Sequence, residues 1–292
     1  MESFAGKVAI VTGGGSGMGR ELVRQLAADG CSVAACDLNA GPQAETIELA
    51  LADAPAGTVV TAHTCDVSDE TALLRFRDEA LKAHGVGHVD LVFANAAIGG
   101  GGSFINEPRE QWERVFAVNW QGVYYTARTF LPLLIASTEG VLVNTSSVNG
   151  FWATLGPAWP HTAYSTAKFA VKGFTEALIE DLRINAPHVR AVLVMPGYIG
   201  TDIVGNSMRA FGMADEAEIE KANAGWRDNA PTSAAEASAI ILDGVRSGAW
   251  RILVGDDARK LDEFVRGNPE STYDHDARVA FMGGIGPDEP LA

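Results

Sequence analysis

Short apolar runs rich in β-branched residues alternate with longer amphipathic stretches along most of the chain. The apolar runs predict strands at Val8–Val11, Ser32–Cys36, Val59–His63, Leu91–Ala94, Val141–Thr145, Ala191–Val194 and Ile252–Val254. The stretches between them predict helices at Gly19–Asp29, Pro42–Asp53, Glu70–His84, Arg109–Ile135, Ala163–Asn185 and Ser233–Ser247. Continuous apolar strands separated by helices are typical of a parallel sheet covered on both faces. With right-handed crossovers, the pattern predicts an α/β fold with a doubly wound, seven-stranded parallel sheet.

No boundary interrupts this alternation, so we expect one domain over residues 1–266. Within it, residues 201–231 are polar and follow the carboxyl end of a strand, where ligands bind in such sheets. We therefore expect this segment to be a substrate-binding loop. Residues 267–292 are rich in Pro, Gly and acidic residues, and we interpret them as a loosely held surface tail. A tail that docks on a partner subunit is the alternative.

The composition limits the partners that the chain can bind. A formal net charge of −15 argues against nucleic acid and anionic membranes. A dinucleotide is not excluded, because its phosphates need local hydrogen-bond donors rather than net positive charge. No apolar run approaches the roughly 20 residues of a membrane helix, and the N-terminus lacks the pattern of a signal peptide. We therefore expect a cytoplasmic protein.

The cysteines and histidines give no sign of a disulfide framework or a metal site. The chain has three cysteines, Cys31, Cys36 and Cys65. An odd, small number in a chain of this length indicates buried, reduced thiols. The six histidines are scattered and show no spacing typical of metal ligands. We predict no metal.

A glycine-rich turn, Thr12–Gly19, follows the first predicted strand and opens the first helix. Glycines allow a tight turn and a close approach of the backbone to a phosphate, while the helix N-terminus offers free N–H groups. A strand–turn–helix context of this kind is required of the Rossmann dinucleotide-binding motif. The predicted cofactor contacts from this turn are Gly13, Gly15, Ser16, Gly17, Met18 and Gly19.

The cofactor type is predicted from Asp37, which ends the second strand about 20 residues past the glycines. A carboxylate there accepts the hydroxyls of the adenosine ribose and repels a 2′-phosphate. No Arg or Lys is evident nearby in the sequence to receive that phosphate, so NAD is favoured over NADP. The alternative is that Asp37 merely caps a loop, as Asp commonly does at strand ends.

Tyr164 and Lys168 lie four residues apart near the start of a predicted helix, which places them on one face. A free phenol has a pKa of about 10, too high for an efficient base at neutral pH. A neighbouring ammonium, or the positive ring of an oxidised nicotinamide, would stabilise the phenolate and lower that pKa. The pair therefore predicts a general acid/base.

Together these motifs resemble those of the short-chain dehydrogenase/reductase family, over roughly residues 5–255. Six motifs stand in the family's order: Thr12–Gly19, Ala94–Ala97, Asn119, Asn144–Ser147, Tyr164 with Lys168, and Pro196–Thr201. The resemblance implies an oxidoreductase that moves a hydride between NAD and an alcohol/ketone pair.

The resemblance also implies catalytic roles by position. Tyr164 would donate and accept the proton, and Ser147 would hydrogen-bond the substrate oxygen. Lys168 would lower the pKa of Tyr164 and bind the nicotinamide ribose. Asn119 would hold a water that connects Lys168 to solvent. Ser146 is the rival for the serine role, and the family pattern favours Ser147.

Further cofactor contacts follow from the same resemblance. Asp66, with Val67 beside it, would contact the adenine. Asn95 would lie beside the cofactor. Ile199 and Thr201 would hold the carboxamide and so fix which nicotinamide face meets the substrate.

Three departures from the family pattern bear on the expectations. Ala97 replaces a glycine, the segment 148–163 is a few residues longer than usual, and the chain reads Trp250–Asp256 where the family closes on Asp-Gly-Gly. The last departure weakens an inference from familiar tetramers. A homodimer through the helices that hold Asn119 and Tyr164, or a homotetramer, is expected.

The substrate is expected to be an apolar or ring-bearing secondary alcohol or ketone, because several aromatic and Met residues lie in segments that we expect to approach Tyr164. They are Phe151, Trp152, Trp159, Tyr198, Met208, Phe211, Met213 and Trp226. The alternative function is a non-catalytic NAD-binding redox sensor, and a second is a dehydratase or epimerase. The first would lack part of the set Asn119, Ser147, Tyr164 and Lys168, and all four are present.

Overall fold

The computed structural model describes residues 1–154, 160–274 and 276–277. A parallel sheet contains β1 (Val8–Thr12), β2 (Ser32–Asp37), β3 (Val60–Thr64), β4 (Leu91–Ala94), β5 (Gly140–Thr145), β6 (Val189–Pro196) and β9 (Arg251–Val254). Its seven strands run in the order β3-β2-β1-β4-β5-β6-β9, and each neighbouring pair is parallel. The order reverses between β1 and β4, which opens a crevice at their carboxyl ends. The predicted doubly wound fold is confirmed.

Helices cover both faces of the sheet. They are α1 (Gly17–Ala28), α2 (Ala40–Asp53), α3 (Glu70–His84), α4 (Arg109–Phe116), α5 (Gly122–Ile135), α6 (Thr162–Asn185), α7 (Ile203–Phe211), α8 (Glu216–Asn229), α9 (Ala234–Arg246) and α10 (Asp256–Gly267). Two-residue strands β7 (Ile199–Gly200) and β8 (Thr232–Ser233) pair outside the main sheet. Among the described residues, no helix is long and apolar enough to cross a membrane.

The strands read as continuous apolar runs because both of their faces are buried. In β1, Ala9 and Val11 belong to one core with residues of α1 and α9. The residue between them, Ile10, belongs to the opposite core with residues of α3, α5 and α6. Alternate side chains of a strand point to opposite faces, so each strand contributes to two cores.

The predicted helix Arg109–Ile135 is interrupted by a π-helical turn, Ala117–Gln121, between α4 and α5. The buried Asn119 lies in this turn, and its side-chain amide donates to the carbonyl of Val115 at 2.9 Å and to that of Ile98 at 2.7 Å. Local bonds of this kind compete with the α-helical pattern. π-Helical turns inside α-helices occur frequently at functional sites.

Candidate active site

The topology brings the predicted motifs to one edge of the sheet. The carboxyl ends of β1, β4, β5 and β6 are neighbours there. They carry the glycine turn, Asn95, Ser147 and the segment 197–201, respectively. Tyr164 reaches the same edge from the first turn of α6. Residues that are far apart in sequence therefore surround one crevice.

The glycine turn leaves no room for side chains at two positions. Gly13 has a φ of +70°, and a Cβ atom there would lie 2.8 Å from the Cα of Ala96. A Cβ atom at Gly19 would overlap the carbonyl oxygen of Gly13. Ser16 precedes α1 without capping it through its side chain, so the first N–H groups of the helix are available to an anion. The turn is shaped to let a phosphate approach the backbone closely.

Asn95 holds this turn against β4. Its side-chain amide donates to the carbonyl of Thr12 at 3.1 Å, and its backbone N–H donates to the Thr12 hydroxyl oxygen at 3.0 Å. The Oδ1 atom of Asn95 is buried and has no hydrogen-bond partner among the described residues. One end of the side chain is thus structural, and the other is free to accept a bond in the crevice.

Asp37 stands directly beside the glycine turn. Its Oδ2 accepts a hydrogen bond from the backbone of Gly15 at 3.0 Å, and its Oδ1 accepts one from the backbone of Asn39 at 3.0 Å. Both bonds orient the carboxylate before any ligand is present. A side chain at Gly15 would meet this carboxylate, which explains the glycine at that position.

A cation that the sequence analysis missed lies close to Asp37. The Arg20 guanidinium donates to the carbonyl of Gly15 at 2.9 Å, so it sits on the same turn as the carboxylate. It also donates to Glu45 at 2.6 Å and to the Thr46 hydroxyl at 3.0 Å. The expectation that no cation is near is therefore corrected, although this cation is already paired. The sequence did contain an indication of this cation, because Arg20 directly follows Gly19, the last residue of the glycine turn.

Asp66 follows β3 and is also held firmly. Its Oδ1 accepts from the backbone and hydroxyl of Ser68, and its Oδ2 lies 2.9 Å from the Arg114 guanidinium. Partial burial opposes ionisation, but the Ser68 bonds and Arg114 together lower the pKa of Asp66. The buried Val67 follows, and Gly122 of α5 allows its close approach.

Ser147, Tyr164 and Lys168 come together as the sequence predicts. The Ser147 hydroxyl lies close enough to the Tyr164 phenol to lower its pKa. The Lys168 ammonium lies 5.3 Å from the centre of the Tyr164 ring and donates to the carbonyl of Thr145 at 3.0 Å. Lys168 is 1% exposed. A phenol, a hydroxyl and an amine therefore meet at the crevice.

Burial shifts the pKa values of both titratable groups toward their neutral forms. It raises the pKa of Tyr164 to about 12, against the lowering effect of the nearby Ser147 hydroxyl. It lowers the pKa of Lys168 to about 7. In the protein alone, the phenol is thus a weaker acid than in water, and the amine is close to its titration point at neutral pH.

The two adjacent serines differ in their partners. The Ser146 hydroxyl is buried and donates to the carbonyl of Lys168 at 2.8 Å. The Ser147 hydroxyl accepts from the backbone of Asn149 at 3.1 Å and lowers the pKa of Tyr164. Ser146 therefore fixes the backbone of α6, and Ser147 is the serine that faces the phenol.

Asn119 adds a buried carbonyl oxygen to this region. Both of its amide bonds go to backbone carbonyls, and its Oδ1 is without a partner among the residues that the structure describes. The π-helical turn that contains Asn119 packs against α6, the helix of Lys168. A buried acceptor without a partner is a place where a water is expected.

The segment after β6 is supported from behind. The carbonyl of Ile199 accepts from the Trp226 indole at 2.9 Å, and the Tyr198 hydroxyl donates to the carbonyl of Trp226 at 2.8 Å. The backbone N–H of Tyr198 donates to Asp257 at 2.6 Å. Thr201 lies close to Gly17 of the glycine turn. The sequence analysis did not identify Asp257, which belongs to the unpredicted helix α10.

The helix α7 lies across the crevice within the predicted loop 201–231. Its Asn206 donates to the Ser16 hydroxyl at 3.0 Å, and its Ser207 hydroxyl accepts from the backbone of Gly99 at 2.7 Å. These bonds connect the loop to the glycine turn on one side and to the segment after β4 on the other. The loop therefore stands where a substrate-binding element is expected.

The predicted apolar pocket is only partly reproduced. Trp152 is 2% exposed and packs edge-to-face on Phe264, and Met213 is 64% exposed. Neither lines an open pocket, because one is core packing and the other points to solvent. Phe211 approaches Gly100, and a Cβ atom there would lie 3.3 Å from its ring.

Other members of the predicted set have different fates. Phe151 lies under the Arg251 guanidinium, and Met208 is partly buried in α7. Trp159 lies outside the described residues. His161 is a neighbour that the sequence analysis missed: its ring centre is 6.5 Å from that of Tyr164, and burial lowers its pKa. The sequence did contain an indication of this contact, because His161 precedes Tyr164 by only three residues.

Known families and proteins match this chain over most of its length. The family model described as short chain dehydrogenase matches residues 7–210. SadH of Mycobacterium tuberculosis, which is named as an oxidoreductase, is 36% identical over 266 residues, covering 91% of this chain and 92% of SadH. Human epidermal retinol dehydrogenase 2 is 35% identical over 201 residues, covering 68% and 62% of the two chains.

Solved structures agree with the fold. A short-chain dehydrogenase/reductase from Burkholderia phymatum in complex with NAD superposes with a TM-score of 0.78 at 26% identity and covers 100% of both chains. A metagenomic short-chain oxidoreductase in complex with NADP superposes with a TM-score of 0.58 at 31% identity, covering 66% of this chain and 83% of that one. These neighbours bind nicotinamide cofactors and differ in the 2′-phosphate.

Proposed function

Because this chain belongs to the short-chain dehydrogenase/reductase family, we propose that it is an NAD-dependent oxidoreductase that interconverts a secondary alcohol and a ketone. The observation that carries the proposal is the meeting of three side chains. The Ser147 hydroxyl lies close enough to the Tyr164 phenol to lower its pKa, and the Lys168 ammonium lies 5.3 Å from the centre of the Tyr164 ring. This arrangement offers a transferable proton, a donor for the substrate oxygen and a cation in one place.

The crevice fits a nicotinamide dinucleotide. The close approaches at Gly13 and Gly19 and the uncapped start of α1 suit the pyrophosphate. We assign the adenine to Asp66 and Val67, and the carboxamide to Ile199 and Thr201, in the segment that reaches the glycine turn. When bound, the cofactor supplies a hydride acceptor and a positively charged ring.

Asp37 supports NAD as the cofactor. Its carboxylate is already oriented by Gly15, and a 2′-phosphate would meet this negative charge. Arg20 is the neighbouring cation, and Glu45 neutralises it through an ion pair of 2.6 Å. Asp37 and Glu45 therefore both favour NAD. Asp37 would accept the ribose hydroxyls, and Glu45 pairs with the cation that a 2′-phosphate would require.

Tyr164 would act as the base in alcohol oxidation and as the acid in ketone reduction. In the protein alone its pKa is about 12, so the phenolate needs a cation close by to form near neutral pH. Lys168 in its protonated form is one such cation. Ser147 would donate its hydroxyl to the substrate oxygen, where charge develops. The free Oδ1 of Asn119 would hold the water of a proton path to Lys168.

We propose an apolar or ring-bearing substrate. Phe211 and Tyr198 stand on segments next to the crevice, and one relative is named for retinol, an apolar alcohol. The alternative of a non-catalytic redox sensor is disfavoured, because a sensor has no need for a serine hydroxyl and a buried lysine beside the Tyr164 phenol. A specific observation for a dehydratase or an epimerase is lacking in the described chain.

The test is an assay of NADH formation across secondary alcohols of increasing size, with NADP in parallel and Tyr164→Phe as the control. We expect turnover with NAD on bulky apolar alcohols, and none with the variant despite retained NADH binding. Equal activity of the variant would refute the assigned base. Tight NADH binding with no turnover of any alcohol would favour the sensor.

We further propose a cytoplasmic homodimer or homotetramer assembled through α5 and α6. Trp120 of the π-helical turn, Tyr124 of α5 and Phe174 of α6 form an aromatic cluster, with ring centres 5.6 to 6.4 Å apart. Tyr124 is 38% exposed and Phe169 of α6 is 42% exposed, so both helices present large apolar side chains to solvent. Light scattering behind size-exclusion chromatography distinguishes a dimer, a tetramer and a monomer.

A further inference from the structure

The residues 151–154, which we name the strap, connect the turn after Ser147 to the segment that leads into α6. Three consecutive strap residues contact the C-terminal part of the chain. The Arg251 guanidinium lies over the Phe151 ring at 5.8 Å. Trp152 packs edge-to-face on Phe264 of α10 at 6.1 Å, and the backbone N–H of Ala153 donates to the Tyr273 hydroxyl at 3.0 Å.

The strap is also bonded to the neighbours of both catalytic hydroxyls. The Asn149 side chain donates to the carbonyl of Trp152 at 3.2 Å, and the Asn149 backbone donates to the Ser147 hydroxyl at 3.1 Å. On the other side, the Ser165 hydroxyl donates to the carbonyl of Ala153 at 3.2 Å. Ser165 directly follows Tyr164. Hydrogen bonds therefore connect the strap to the immediate neighbours of Ser147 and Tyr164.

The C-terminal contacts have a rigid foundation. Arg251 of β9 donates to both oxygens of Asp262, at 2.9 and 2.5 Å, and both side chains are 12% exposed. Arg266 donates to the same carboxylate at 3.0 Å. A bidentate, largely buried pair of this kind has a defined geometry. It locks α10 onto the sheet edge and so fixes where Phe264 stands. Thr272, beside Tyr273, is 2% exposed, so this part of the segment is packed rather than loose.

We propose that Phe264 and Tyr273 are specificity-determining residues: they hold the strap in place and thereby limit the size of the alcohol that can stand beside Tyr164. The inference rests on the proposed function, because it assigns the substrate to the crevice between Ser147 and Tyr164. Both residues lie beyond residues 7–210, the part matched by the family model.

The variants Tyr273→Phe and Phe264→Leu test the proposal in the full-length protein. The first removes one hydroxyl and the second reduces an aromatic contact, so both are expected to fold. Glu270→Gln is the matched control, because its side chain is exposed in the same segment. The probes are 2-butanol, 1-phenylethanol and 1-tetralol, each with NAD. The NADH dissociation constant is measured beside kcat and KM.

We expect each variant to change the ratio of kcat/KM between 1-tetralol and 2-butanol by about threefold or more, the effect of weakening one hydrogen bond or contact. The dissociation constant of NADH is expected to stay within twofold of the wild-type value, as are all constants of the control. An unchanged ratio in both variants, with only a lower melting temperature, would show a purely structural role and overturn the proposal.

Hydrogen–deuterium exchange tests the contact without turnover. We expect Tyr273→Phe to exchange faster than the wild type at the Ala153 amide, and Glu270→Gln to match the wild type. Unchanged exchange at Ala153 would show that Tyr273 does not hold the strap, which would overturn the proposal regardless of the measured kcat/KM values. If the wild type forms no NADH from any alcohol, the proposed function is overturned, and the specificity role with it. Faster exchange at Ala153 in Tyr273→Phe would still show that Tyr273 holds the strap.

Discussion

The carboxylate of Asp257 accepts a hydrogen bond of 2.6 Å from the backbone nitrogen of Tyr198. It thereby joins the first turn of α10 to the segment that carries Ile199. The carboxylate also lies against Gly197 and Gly255, where side chains would overlap it. A charged acceptor in so confined a place holds the turn after β6 in one conformation.

We therefore predict that Asp257→Ala lowers kcat/KM for NAD by about tenfold, the effect of losing one charge-assisted hydrogen bond of roughly 1.5–3 kcal/mol. The loss is expected mainly in KM. Transfer of deuterium from stereospecifically labelled NADH should also become less selective between the two faces of the ring. Asp257→Asn keeps an acceptor and should recover most of the activity. The exposed neighbour Asp256 provides the control variant Asp256→Asn. Unchanged KM and face selectivity in Asp257→Ala would contradict the positioning role.

The pH dependence of the reaction follows from the Tyr164 phenol. Burial raises its pKa to about 12 in the protein alone, and only the deprotonated form accepts the proton of an alcohol. We predict that kcat/KM for alcohol oxidation rises with pH through the alkaline range. Ketone reduction requires the protonated phenol, so its kcat/KM is expected to stay level up to about pH 10. Steady-state profiles from pH 6 to 10 measure both directions (a range chosen around the reference values of about 6.5 to 10).

The charge of Lys168 also affects the pH dependence of alcohol oxidation. Burial lowers its pKa to about 7, and the ammonium that would stabilise the phenolate is lost above that value unless a ligand restores it. Lys168→Met is expected to reduce alcohol oxidation by about a hundredfold or more and to shift the alkaline limb to higher pH. A variant profile parallel to that of the wild type would show that Lys168 does not tune Tyr164.

The parts of the site that depend on local rules were predictable from the sequence. The glycine turn stands where a strand gives way to a helix, and Tyr164 and Lys168 share a helix face by spacing alone. Period and apolar content also predicted the sheet, since buried parallel strands consist of continuous apolar runs.

The parts that depend on long-range packing were not predictable. Asp257 and Tyr273 contact residues 59 and 120 positions away, and no local pattern indicates such a pairing. The sequence analysis predicted no element between the strand Ile252–Val254 and the tail that begins at residue 267, so it missed the helix α10. Trp152 was assigned to a substrate pocket because the sequence alone does not distinguish an aromatic residue that packs in the core from one that lines a binding site.

The stability of the fold should decrease on mild acidification because of His84. Burial, and then the charge of His63, lower the pKa of His84. The Thr61 hydroxyl lies 2.9 Å from the Nε2 of His63 and 3.0 Å from the Nε2 of His84, so it connects the two rings. The folded state therefore binds a proton at His84 less readily than the unfolded state does. By linkage, stability is lost as the pH falls below the unfolded pKa of about 6.5, and the loss levels off below the folded pKa.

Melting temperatures at pH 7.5 and 5.5 measure this effect, in a comparison of the wild type with His84→Gln. The variant cannot be protonated, so we expect it to lose less stability between the two pH values. His88→Gln is the control, because His88 is 47% exposed at its side chain. Equal losses in the wild type and His84→Gln would assign the acid sensitivity to other groups.

The cofactor preference is predicted to depend on Glu45 as well as on Asp37. Glu45 lies on α2, outside the glycine motif, and it pairs with Arg20 at 2.6 Å. In Glu45→Gln, the Arg20 guanidinium keeps its bonds to Gly15 and Thr46. Its positive charge is no longer offset by a carboxylate, so it is available to a phosphate. We expect the ratio of kcat/KM for NADP to that for NAD to rise by about two- to fivefold, as for an ion pair of less than about 1 kcal/mol.

Asp37→Ala with Leu38→Arg removes the repelling carboxylate and adds a second cation, so the same ratio is expected to rise by about a hundredfold or more. Combining this pair with Glu45→Gln should raise it further than the product of the separate effects, since Arg20 and the introduced guanidinium would bind one phosphate together. Glu48→Gln, an exposed carboxylate on the same helix, is the control for net charge. If Glu48→Gln and Glu45→Gln change the ratio equally, the effect is one of overall charge, and the pairing of Arg20 has no part in cofactor choice.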